Sequence, residues 1–110
     1  MRPLIGALLF SLLGCGGMME LGAASELASL HQQRECAELL AKAELNLPFL
    51  KDRPELVAQA SYLKADCLMR MGRDSEALGL FRYIAEQHPE SPYAYQSQAR
   101  IDAFEGPHGE

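Results

Sequence analysis

The chain has 110 residues, enough for one modest domain and too few for two. Its 10 Lys and Arg residues stand against 15 Asp and Glu, a formal net charge of −5. No basic cluster offsets this balance, which argues against nucleic acid, whose binding rests on neutralising many phosphates. An acidic surface also adds no pull toward anionic lipid.

Read from the start, Arg2 precedes ten uncharged residues, Leu4 to Leu13, and the tract closes on Leu12-Leu13-Gly14-Cys15. A positive start, an apolar stretch and a small residue are the parts of an export signal. A permanent span needs about 20 apolar residues, twice this run. Cleavage is therefore expected; an uncleaved anchor, an ordinary secretory signal and a misassigned start codon are the alternatives. The tract resembles the lipobox of bacterial lipoproteins: Leu12 and Gly14 fit it, while Leu13 is bulkier than usual at its place. The resemblance implies a lipoprotein signal peptide over residues 1–14 and diacylation of the Cys15 thiol, with a further chain on the new amino terminus. Several acyl chains, at about 0.8 kcal/mol per buried methylene, suffice for stable anchoring. Gly16, rather than Asp, after the cysteine implies the outer membrane, periplasm-facing, in preference to the inner one. Gly16, Gly17 and Gly22 make residues 15–23 read as the lipidated cysteine and a flexible tether.

After the signal Val57, Ile84 and Ile101 are the only Val, Ile or Thr residues, and Ala, Leu, Glu, Gln and Arg dominate. These are strong helix formers, and no stretch alternates as a half-buried strand would. The expected class is all-α, with a helical domain over residues 24–106 and a disordered tail at 107–110. A stripe of Leu27, Leu30, Cys36, Leu39, Leu40, Ala43 and Leu47 predicts one long helix or two shorter ones from about Ala24 to Asn46. Pro48 and Pro54 bracket a turn, and Pro54 suits the first position of a helix. Leu56, Ala60, Leu63, Cys67 and Met71 share its apolar face until Gly72, a natural left-handed stop. Asp74 is placed to cap the following helix, with Glu76 in its first turn. Ala77, Phe81, Ile84 and Ala85 line that helix, which stops before Pro89. Ser91 and Pro92 open a final helix that runs to about Glu105 and ends at Gly106.

Cys36 and Cys67 can pair in an oxidising compartment, or stand as two buried thiols on apolar helix faces. His31, His88 and His108 are scattered and neither cysteine has a CxxC partner, so no metal site is expected. No phosphate-binding Gly-rich loop and no GxSxG serine context occurs, and Asp66 and Glu76 read as solvated helix-face charges. The expectation is a protein that is not an enzyme, with no small-molecule substrate and no cofactor beyond the covalent lipid on Cys15.

Helical hairpins in succession are the logic of stacked repeats. Residues 58–91 resemble a tetratricopeptide repeat of 34 positions. Ala65, Leu68, Ala77, Phe81, Ile84 and Pro89 fall at its small, apolar, small, aromatic, apolar and proline places. Ser61, where a large aromatic is usual, and Lys64, where Leu is usual, depart from it. One period on, Tyr95 and Ala99 continue the pattern; one period back only Ala43, Leu47 and Leu50 do. The resemblance implies about 1.5–2.5 repeats, and resembles in particular the subgroup found in outer-membrane assembly and cell-division-coordinator proteins. In this family the first helices line a groove that holds a protein partner, which implies Ser61, Tyr62, Ala65, Met69, Tyr95 and Gln98 as partner-binding residues. The expected role is a membrane-anchored protein-interaction module, an adaptor or scaffold in a bacterial envelope complex. A pilotin-like chaperone for a secretin or pilus subunit and a structural spacer lipoprotein are the alternatives.

Overall fold

A computed structural model describes the backbone of residues 15–106 and the side chains of residues 21–106. The signal peptide expected at 1–14 and the tail expected at 107–110 lie outside the described residues. The described chain is helical without a strand: α1 (Cys15–Gln32), α2 (Cys36–Asn46), a 3-10 turn (Leu47–Leu50), α3 (Pro54–Arg70), α4 (Asp74–Gln87) and α5 (Pro92–Glu105).

The punctuation acts at residue level. Gly72 sits at φ +80°, and the Arg73 N–H returns to the Leu68 carbonyl at 2.8 Å. That is the left-handed stop anticipated for this glycine, with an orphan carbonyl of α3 satisfied. Pro54 and Pro92 occupy the opening turns of α3 and α5, where a missing N–H costs nothing. The Ser91 hydroxyl accepts from the Tyr93 N–H at 3.0 Å and caps α5.

Two expectations change, and one left open is resolved. Residues 15–23 form the first two turns of α1 rather than a flexible tether, because the helix runs unbroken from Cys15. Asp74 is the first residue of α4 and makes no side-chain cap; the flanking position is Arg73, whose guanidinium instead forks onto the Glu76 carboxylate with two contacts of 2.9 Å. The segment from Ala24 to Asn46 is two helices, and the break falls at Arg34, which takes a left-handed φ of 62°. The Glu35 N–H then closes onto the Leu30 carbonyl at 2.9 Å. Glycine is the usual residue for this geometry, so an arginine there gives no warning of a turn.

Each helix packs on the next, and α1 also packs on α3 and α3 on α5. The odd-numbered helices therefore lie side by side, and α2 and α4 cover them from behind. One core cluster joins α1, α2 and α3 through Leu27, Leu30, Leu39, Ala43, Leu50, Leu56 and Leu63. A second joins α3, α4 and α5 through Ala65, Leu68, Ala77, Leu78, Phe81 and Ile101. Leu40 of α2 touches both. Ala65 and Ala77 are wholly buried, so α3 and α4 approach closely there and Phe81 fills the space beside them. Cys36 and Cys67 are joined by a disulfide with their Cα atoms 5.2 Å apart, tying the start of α2 to the last turns of α3.

Candidate interaction site

Along the face formed by α1, α3 and α5, the side chains converge on Asp66. It is only 6% exposed, so the solvated role expected for it does not hold. His31 Nε2 of α1 lies 2.7 Å from Oδ2, Arg70 Nε of α3 lies 2.9 Å from the same oxygen, and Arg100 Nη2 of α5 donates to Oδ1 at 2.7 Å. A carboxylate only accepts, so the first contact places a proton on Nε2 of His31. Burial by itself would raise the Asp66 pKa; the hydrogen bonds from His31 and Arg100 and the charges of Arg100 and Arg70 outweigh it and hold the carboxyl below its ordinary value. One buried carboxylate thus fastens three helices.

Arg100 extends the cluster. Its Nη1 donates to the Tyr62 hydroxyl at 3.1 Å, Nη2 also lies 3.8 Å from Met69 Sδ, and the guanidinium stands 5.1 Å from the Phe81 ring centroid and 5.8 Å from that of Tyr62. Tyr62 packs tilted against Phe81 and Tyr93 at centroid distances of 5.5 and 5.3 Å. Helical spacing puts Tyr93, Gln96, Arg100 and Phe104 on one side of α5. Gln96 and Phe104 there are exposed. Beyond Tyr93 the face opens into a cavity of about 700 Å³ between the ends of α3, α4 and α5, lined by Pro54, Leu56, Gln59, His88 and Pro92 among others.

The six residues implied as partner-binding divide sharply. Tyr62 and Met69 belong to the Asp66 cluster. Ser61 and Ala65 are buried against neighbouring helices and present no surface to a partner. Tyr95 is 81% exposed, and Gln98 donates along its own helix to Asp102 at 3.0 Å; neither reaches the cluster. The departure at Lys64 also has a cause, since its ammonium pairs with Glu44 of α2 at 3.0 Å. Sequence reasoning missed His31, Asp66, Arg70 and Arg100. Two signals were available: Asp66 and Arg70 are spaced to pair on one helix, and Arg100 follows Asp66 by 34 residues, the period of the repeat the sequence resembles.

Among the described residues no group of three or more His, Cys, Asp or Glu side chains could hold a metal ion, and no helix is long and apolar enough to cross a membrane. Compared with family models, curated proteins and solved structures, the chain matches none of them.

Proposed function

We propose that the protein is a membrane-anchored interaction module of tetratricopeptide type, held by lipid on Cys15 at the periplasmic side of a bacterial outer membrane. The observation that carries this reading is the Asp66 cluster, which locks α1, α3 and α5 side by side into one continuous face. Burial of Ala65, Leu68, Ala77 and Phe81 in a single core cluster supports the repeat reading, because these are its small, apolar and aromatic places. The 34-residue interval between Asp66 and Arg100 supports it independently: two successive first helices offer opposite charges at the same repeat position. The helix that supplies His31 begins at Cys15, so anchor and face would share one rigid element.

The mechanism is positional. Lipid fixes the module in the leaflet, the face recruits an envelope protein, and no chemical step is required. Purification of the cross-linked, full-length lipidated protein from membranes tests this against a Cys15→Ala control. The wild type is expected to recover a stoichiometric protein partner and the control to leave the membrane fraction. A control that stays membrane-bound would overturn the anchor. A secretin that depends on the protein for its location would favour the pilotin role, and the absence of any stoichiometric partner would favour the spacer.

A further inference from the structure

The cations of this acidic protein are distributed unevenly. Lys42, Lys64, Arg73 and Arg82 each face one exposed carboxylate, at 3.1, 3.0, 2.9 and 2.6 Å. At Asp66 two arginines and the His31 imidazole share one carboxylate. Asp66 and Arg100 balance, which leaves Arg70 in surplus beside His31. Arg70 meets Asp66 through Nε, and no hydrogen bond occupies its Nη atoms among the described residues. Arg34, in the turn after α1, has no ion pair or side-chain hydrogen bond among them either. Arg34 and Arg70 line the same open cleft of about 490 Å³, together with Cys36 and Met71. Glu35, next in the chain, does not line it. The carbonyl ends of α1 and α3 lie here and offset about half an elementary charge each. The two arginines still leave the cleft positive. Negative charges elsewhere on the surface are screened beyond about 8 Å at physiological salt, so the local surplus acts on whatever approaches.

Resting on the adaptor reading, we propose that this cleft is where the partner docks, through the side-chain carboxylates of an acidic segment, with Arg34 and Arg70 as the contacting residues. Guanidinium forks match carboxylates in paired hydrogen bonds, and an open cleft admits side chains from a protein surface. Lipid headgroups fit less well. The 18 residues of α1 span about 27 Å, so Arg34 lies at the far end of that helix from the proposed anchor. The net charge of −5 also disfavours an anionic leaflet.

The test uses the full chain in neutral detergent micelles and a fluorescein-labelled hexaglutamate peptide, followed by anisotropy. The Arg34 side chain is exposed and makes no ion pair or hydrogen bond among the described residues, while its backbone N–H donates to the His31 carbonyl, so side-chain variants report on binding apart from folding; Arg34→Asn keeps a residue that tolerates the left-handed backbone. Binding is expected to weaken about fivefold in Arg34→Asn and at least about 20-fold in Arg34→Glu, to persist in Arg34→Lys, and to fall steeply with salt. Unchanged affinity in Arg34→Glu would overturn the site. So would displacement of the peptide by inorganic phosphate or glycerophosphoglycerol at the peptide's own concentration, which would make it a phosphate or headgroup site. The two proposals fail separately. If Arg34→Glu still captures the stoichiometric membrane partner, the cleft is wrong and the adaptor stands. If the wild type captures none while the peptide binds through Arg34, the adaptor is wrong and the cleft stands.

Discussion

Around α1 and α2 the core is built from leucines and carries a covalent bond; around α4 and α5 it is built on Phe81 between alanines and carries none. The second region holds the residues on which the proposed 34-residue repeat rests. Its fit comes from shape: Ala65 and Ala77 let two helices approach, and Phe81 fills what remains. The first region departs from that proposed pattern, turns on a left-handed arginine instead of a glycine, and is tied to its neighbour through Cys36 and Cys67. Where side-chain complementarity is regular it suffices to hold the helices. Where it is irregular a cross-link takes over part of that task. Asp66 belongs to both regions, since its donors come from α1 and from α5.

That contrast can be broken in order of size. Phe81→Ala removes the largest fully buried side chain of the second region and is expected to cost about 4 kcal/mol, read from chemical denaturation. Hydrogen exchange in the same variant should rise in α4 and α5 before α1 and α2. Cys36→Ser opens the bond whose partners are 31 residues apart, and the chain-entropy model puts the loss at about 3.7 kcal/mol. Its exchange pattern should be the reverse, with α1 and α2 loosened and α4 and α5 protected. If both variants loosen the whole molecule uniformly, the division into two regions is wrong.

Asp66→Asn should cost about 3 kcal/mol, because it leaves two arginines without their buried carboxylate. It should also alter the response to acid. The Asp66 pKa is lower folded than unfolded, so its contribution is complete above the ordinary carboxylate range near pH 4 and disappears as pH falls through the folded value. Denaturation midpoints measured between pH 6 and 2.5 should therefore drop less in Asp66→Asn than in the wild type. The smallest effect has the opposite sign. Ser97 Oγ is buried without a hydrogen-bond partner among the described residues, and Ser97→Ala is expected to raise stability by up to about 1 kcal/mol in the same denaturation assay.

The helical class and most helix ends were legible because they depend on local chemistry: Pro54, Gly72, Ser91 and Pro92 each act on the turn they occupy. The turn at Arg34 was not, because its left-handed backbone is imposed by packing on a residue that does not advertise it. The site was legible only in part. Tyr62 and Met69 lie on the helix face that the resemblance to a repeat indicates. Ser61 and Ala65 sit one position away from Tyr62 and one before Asp66, a rotation of about 100° that carries them into the interface behind. His31 could not be placed, since what it meets is 35 residues away and depends on how far α1 slides along α3. Asp66 read as solvent-facing because a lone carboxylate on a helix usually is; its burial depends on donors from two other helices.

The central claim is that the α1–α3–α5 face is the working surface of a module held at the membrane through Cys15. A photo-crosslinking residue at Gln96, exposed on that face, and another at Leu45, exposed on α2 behind it, test this in intact cells. The account predicts one protein adduct from position 96, none from position 45, and loss of the adduct when Cys15 is replaced by Ala. An adduct from position 45 with none from position 96 would contradict it.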